Sequence, residues 1–210
     1  MANTLGRLVR PFTSIIVPTL RKRPDSLQRL LDSIDKYTHN YEILYAEGGD
    51  CYSASMNNAL RKAKGDYLTI PGIADDIEVT QGWLSNMIEF MQKNPDVGMG
   101  AFKVSHPFGG VESYGGFITP VERFNTDPNG EPQYCGYGLV SRECFEKVGL
   151  MDENFKPIYL EDTDYGLRVW QAGYKVKVCP EANIIHHHEQ EGREMNTGKN
   201  KEYLWKKHNL

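Results

Sequence analysis

The run FTSIIVPTL is rich in β-branched residues and closes on proline, which reads as a buried strand. RPDSLQRLLDSIDKY follows it, with Leu27, Leu30, Leu31, Ile34 and Tyr37 at helical spacing and with Asp25 and Gln28 resembling a capping box. YEILYAEGGD then reads as a second strand, SASMNNALRKAKG as a helix closed by Gly65, and DYLTIPGI as a third strand. Strand and helix alternating at this pace predict an α/β fold in which helical crossovers join parallel strands. TQGWLSNMIEFMQKNP adds an amphipathic helix stopped near Pro95, and VGMGAFKV adds a further strand.

The texture changes between His106 and Tyr134, where glycine and proline are dense and periodicity is weak. Long loops or hairpins over a site are expected there. Regular signals return with YCGYGLVSRECFEKVG, a strand then a short helix. LEDTDYGLRVWQAG reads as a helix with apolar face Leu167, Trp170 and Tyr174, and YKVKVCPEANIIHHH as a last strand pair. The tail from Glu189 reads as polar and mobile. At 210 residues the chain fits one domain, with one half at about 12–104, a second at about 105–188 and a C-terminal tail at 189–210.

A net charge of −4 supplies no overall field toward nucleic acid or anionic lipid, although RLVRPF with LRKR, or KNKEYLWKKH, leaves room for local basic patches. Cys51, Cys135, Cys144 and Cys179 include no CxxC pair and read as free thiols. No apolar run approaches membrane-spanning length, so a soluble, cytoplasmic protein is expected.

In open α/β sheets ligands bind beyond the carboxyl ends of the strands. VPT, AEGGD, ADD and the LED region all fall there. Alone, Asp75 and Asp76 read as a solvated turn. With neighbours they read as ligands of a hard cation, Mg2+ or Mn2+, shared with a phosphate-bearing ligand. Glu161, Asp162 and Asp164 crowd a helix start, where capping and dipole explain acidic residues as readily as catalysis does. The dipole would keep a base there ionised but weak. Among His186, His187 and His188, one is a candidate metal ligand, in an oxygen-rich site that leans toward Mn2+. The chain has no GxGxxG, Walker A or GxSxG motif.

In this order SIIVPT, AEGGD, MNNALRKAKGDYLTI, ADDIEVTQGWL, GLMDENF, YLEDTDYGLRVWQAGYKV and CPEANIIHHH resemble the family 2 glycosyltransferases of GT-A fold, nearest to rhamnosyl- and galactofuranosyl-transferase types. The likeness runs from Ser14 to His188 and breaks in the glycine-rich middle. It implies a mainly parallel, Rossmann-like mixed sheet flanked by helices. It implies Pro18, Thr19, Glu47, Asn57 and Asp75 at the nucleotide, Asp76 and His186 at the metal, Asp162 as catalytic base beside Glu161, and Gly136 and Asp164 where donor sugar and acceptor meet. Met56 replaces an arginine of the usual pattern, Gly48 replaces an aspartate, and TIPGIADD is about two residues longer than usual.

The implied activity is inverting transfer from a UDP- or dTDP-type sugar to an acceptor hydroxyl on a glycan, a protein or a modified nucleic acid, assisted by Mn2+ or Mg2+. The rivals are a nucleotidyltransferase or nucleotide-sugar hydrolase on the same fold, and a non-catalytic nucleotide-sugar-binding module.

Overall fold

The computed structural model describes residues 11–189 and 197–210. Strand β1 (Thr13–Pro18) is followed by helix α1 (Pro24–Tyr37), β2 (Tyr41–Ala46), α2 (Tyr52–Leu60) and β3 (Tyr67–Thr69). Then come β4 (Ile77–Val79), α3 (Trp83–Lys93), β5 (Val97–Ser105), β6 (Val111–Ser113), β7 (Gly116–Phe117), β8 (Arg123–Phe124) and β9 (Gly138–Ser141). Helices α4 (Arg142–Val148) and α5 (Glu161–Gln171), strand β10 (Lys175–His186) and helix α6 (Gly198–His208) complete the described chain.

The main sheet has the order β2-β1-β3-β9-β5-β10-β4, with β6 added against β5, while β7 and β8 form a separate pair. The two longest ladders, β1–β2 and β5–β10, are parallel, and β9 and β4 run antiparallel to their neighbours. This is the mixed, mainly parallel sheet flanked by helices that the family resemblance implies; the alternation of signals accounts for its parallel strands but not for antiparallel β9 and β4.

Strands covered on both faces read as continuous apolar runs. Ile15, Ile16 and Val17 are accordingly all fully buried. Because successive strand side chains point to opposite faces, Ile15 and Val17 join Leu30, Ile34, Trp83 and Phe102 in one core, and Ile16 joins Met56, Leu60, Met99, Tyr165 and Val169 in the other.

Several local expectations are corrected. Helix α1 starts at Pro24 without a side-chain cap, so Asp25 lies inside its first turn and Gln28 donates to Asp32 rather than closing a capping box. Proline at the first helical position supplies the required φ and lacks the N–H that would go unpaired there. Helix α2 ends at Leu60, and Gly65 lies beyond it with its N–H donating to Ser14 Oγ. Strand β10 is one strand with an irregularity between Cys179 and Asn183, not a pair. The buried apolar face of α5 is Tyr165 and Val169, with Leu167 and Trp170 only partly covered and Tyr174 beyond the helix end.

The tail is also not free. Leu204 of α6 is buried with Ile118 and Phe155, and the Asn200 side-chain amide donates to the carbonyls of Ile158 and Tyr159. Residues 190–196 of the expected tail lie outside the described residues.

Candidate active site

Antiparallel pairing of β4 with β10 sets His186 opposite Ile77, and the N–H of His187 donates to the carbonyl of Asp76 at 3.0 Å. That register brings ADD and HHH to one sheet edge. The end of β1 reaches the same place, since Thr19 Oγ1 donates to Asp75 Oδ2 at 2.7 Å. The extra residues in TIPGIADD have a structural role. The chain leaves β3, bends at Pro71-Gly72, and returns to β1, where the Ile73 N–H donates to the Ile16 carbonyl at 2.8 Å. Gly72 has φ +121°, and a Cβ there would meet Pro18 Cδ at 2.9 Å, so both conformation and space call for glycine. The detour delivers Asp75 and Asp76 to the mouth of β1.

Both aspartates are nearly inaccessible to solvent. Arg23 touches both, bonding Asp75 and lying 3.3 Å from Asp76 Oδ2, and supplies opposite charge to two adjacent buried carboxylates. His186 Nε2 lies 3.5 Å from Asp76 Oδ2, and its Nδ1 lies 3.4 Å from Glu112 without hydrogen-bond alignment. Burial alone would raise the Asp76 pKa, but His186 and Arg23 hold it below the ordinary carboxylate value. Burial alone would lower that of His186, but Asp76 and Glu112 more than offset it and bring it to about 9. Asp76 Oδ1 is buried without any partner. An orphaned carboxylate oxygen beside an imidazole fits a divalent cation of the Mn2+ or Mg2+ kind, because such ions take one or two protein carboxylates and complete their shell with phosphate and water.

The second acidic group opens α5. Burial, and then the charge of Asp162, push the Glu161 carboxyl up to about 8, and Glu161 Oε2 has no partner. Asp162 is also raised by burial, opposed by the Thr163 N–H, which donates to Asp162 Oδ1 at 2.7 Å. The pair titrates as a unit. Both carboxyls accept backbone bonds that oppose the rise, and burial outweighs them at each. The sequence led one to expect a carboxylate kept ionised by the helix dipole; burial instead raises the Asp162 carboxyl.

Gly136 adjoins this carboxylate, and a Cβ there would stand 3.7 Å from Asp162 Oδ2. The next residue, Tyr137, joins the two halves of the site. Its ring packs edge-on to His186 at 5.6 Å, and its buried phenol feels the charges of Asp76, Glu112 and Asp162.

Other expected residues separate. Pro18 and Thr19 lie at the edge with Asp75, and Glu47, at the end of β2, is exposed and paired with Arg21 at 2.6 Å. Asn57 is turned away: its amide donates to the Met151 carbonyl and to Glu153, and its oxygen accepts from the Met151 N–H. The structure does not bring Asp164 to that sheet edge. Its carboxylate is buried under α6, with Arg168 at 2.8 Å, Lys207 at 2.6 Å and His208 at 2.8 Å. His187 faces Glu78 and His188 faces Glu112, each at 3.0 Å, which leaves His186 as the imidazole on Asp76.

Sequence reasoning missed Arg23, Glu112 and Tyr137. Arg23 was visible only as part of a basic run, and Glu112 lies in the stretch without periodicity. A concavity lined by Tyr37, Thr38, Gln81, Leu84 and Ile88 lies near α1 and α3, and its charged or imidazole side chains Lys36, His39 and Glu89 are exposed.

The sheet and its edge define the GT-A class of fold. The structure of GalNAc-T7 with UDP, GalNAc and Mn2+ superposes with a TM-score of 0.73 at 13% identity, covering 93% of this chain and 48% of that one. The mannosyltransferase PcManGT of Pyrobaculum calidifontis, in complex with GDP-Man and Mn2+, gives 0.61 at 17% identity over 88% of this chain and 59% of that one. The chain belongs to glycosyl transferase family 2, whose model matches residues 24–149. The O-antigen biosynthesis protein RfbC of Myxococcus xanthus is 26% identical over 226 aligned positions that cover 84% of this chain. The chain spans only 17% of RfbC and 24% of a second relative, protein y4gI of Sinorhizobium fredii. No helix among the described residues is long and apolar enough to cross a membrane.

Proposed function

We propose that the protein is an inverting glycosyltransferase that moves a sugar from a UDP- or dTDP-type donor to an acceptor hydroxyl. The observation that carries this reading is that the Asp76 carboxylate, with its Oδ1 buried and unpartnered beside His186, and the Asp162 carboxylate beside Gly136 flank the same Tyr137. Asp76 is held ionised by His186 and Arg23, while the Glu161–Asp162 pair is pushed toward holding a proton. Divergent environments for titratable groups suit divergent roles.

Asp76 and His186 would hold the cation, Mn2+ or Mg2+, which when bound offsets negative charge on a diphosphate leaving group. Thr19 orients Asp75, which is assigned to the ribose, and Pro18 and Glu47 border the nucleotide. Asp162 accepts the proton from the attacking acceptor hydroxyl, with Glu161 beside it as the protonated partner. Gly136 leaves room for the hydroxyl and the sugar to approach Asp162. Holding both substrates in line lowers the barrier further. Residues of about 12–104 form the donor half and those of about 105–188 the acceptor half. The acceptor is a glycan, a protein or a modified nucleic acid, and the site is cytoplasmic.

The test is product analysis with UDP- and dTDP-sugars and a panel of acceptor glycosides. Nucleoside diphosphate released only when acceptor is present, with inversion at the anomeric carbon, supports the proposal. Release of nucleoside monophosphate, or release at an equal rate without acceptor, sinks it in favour of a nucleotidyltransferase or a hydrolase.

A further inference from the structure

Beyond the ends of β5 and β10, three side chains from separate segments converge outside the carboxylates assigned above. His106 follows β5, Glu112 is in β6 and His188 follows β10. One donor atom from each lies within 4.8 Å of the other two. His188 Nε2 and Glu112 Oε2 are 3.0 Å apart, and the His106 and His188 rings are 5.7 Å apart between centroids. Two unusual backbone features set this up. The turn at Gly109 and Gly110, both at positive φ, folds the chain back so that the His106 N–H donates to the Gly110 carbonyl, and His188 itself adopts φ +53°. A non-glycine residue in that region carries a conformational cost.

We propose that His106, Glu112 and His188 form a second divalent-metal site, selective for Zn2+ or a similar borderline transition ion. Two imidazoles and one carboxylate are the donor set of open zinc sites, and imidazole shifts preference away from Mg2+ and Mn2+. In a tetrahedral zinc site neighbouring donors lie about 3.3 Å apart, given bonds of about 2.0–2.1 Å. The Glu112–His188 edge is close to that spacing, and rotation of the exposed His106 and His188 closes the rest. The plain alternative is a surface Glu112–His188 ion pair with His106 nearby by chance. It binds no metal and provides the contrast for the test. A bound ion would fasten the turn that carries the fully exposed Phe108 to the end of β10. Glu112, which also faces His186, would then lie between the two metal positions. That this would be a second site rests on the donor cation proposed at Asp76 and His186, since Glu112 lies 3.4 Å from His186 and the His188 ring lies 3.8 Å from the His186 ring. The comparison with His106→Ala does not rest on it.

The experiment is calorimetric titration of ZnCl2 into metal-stripped chain without a histidine tag, in an Asp76→Ala background that removes the donor-cation ligand. We expect one saturable Zn2+ per chain in that background, weakened by about tenfold or more when His106→Ala is added. No saturable binding in Asp76→Ala, or the same affinity with and without His106→Ala, overturns the proposal. Should Asp76→Ala fail to fold, wild type and His106→Ala are compared under excess Mn2+, with the same two readings.

Discussion

The N–H of His187 donates to the carbonyl of Asp76, so the backbone of the last strand end is tied to the backbone of the acidic motif. One residue earlier, His186 turns its Nε2 toward the Asp76 carboxylate. The candidate cation site is therefore a by-product of β4–β10 register. A slip of one residue would turn His186 to the other face of the sheet.

Across from that edge, the base assignment makes the Asp162→Asn variant informative. We expect it to fold and to bind nucleotide as wild type does, while transfer falls by about 100- to 10,000-fold, the range for loss of a positioned base. Initial-rate assays beside nucleotide calorimetry check this. Undiminished transfer would remove Asp162 from the role.

The neighbouring Glu161 gives the pH dependence. Its carboxyl titrates near 4.5 when unperturbed and at about 8 in the folded chain, because burial and Asp162 disfavour its charge. Between those values the folded state holds a proton that the unfolded state has released. Its contribution to stability is thus full below about 4.5 and is lost as pH rises toward about 8. The melting temperature of wild type should fall over that window more steeply than that of Glu161→Gln, measured in buffers of equal ionic strength. Parallel curves would contradict the buried, protonated Glu161.

Gly166 of α5 lets the loop before β9 pack closely on the helix that carries Asp162. A Cβ at Gly166 would stand 2.5 Å from the Gln133 carbonyl and 2.6 Å from Tyr134 Cα, both backbone atoms that cannot rotate away. We expect Gly166→Ala to cost about 1–3 kcal/mol, the usual range for overpacking, despite the better helix propensity of alanine. Urea denaturation reads it directly.

Asp164 separates structural from chemical carboxylates on the same helix. Asp164→Asn leaves Arg168, Lys207 and His208 without their shared anion. It should destabilise by about 3 kcal/mol, the low end for a broken buried pair because Arg168 and Lys207 retain some solvent contact. Nucleotide affinity should not change. A weakened affinity with normal stability would return Asp164 to the sugar site.

These cases mark what sequence could and could not carry. Ile15 to Val17, the Leu27–Ile34 spacing and the VGMGAFKV run were legible because burial period and strand length are local properties. The meeting of Asp76 and His186 at one sheet edge was legible through motif order. Asp164 was not, because its partners Lys207 and His208 lie on α6, a helix whose polar surface reads as tail. Arg23 and Glu112 reach Asp75 and His186 only through tertiary placement, and no periodicity in LRKR or GGVESYGG announces it. Asn57 has the composition of a ligand contact, yet its hydrogen bonds go to Met151 and Glu153.

The most direct measurement is calorimetry of UDP and dTDP binding, with Mn2+ and with chelator, to wild type and Asp76→Ala. We expect wild type to bind one of the two at least about tenfold more tightly with Mn2+, and Asp76→Ala to lose that gain. Equal affinity of Asp76→Ala and wild type in the presence of Mn2+ would contradict a donor cation held at Asp76 and His186.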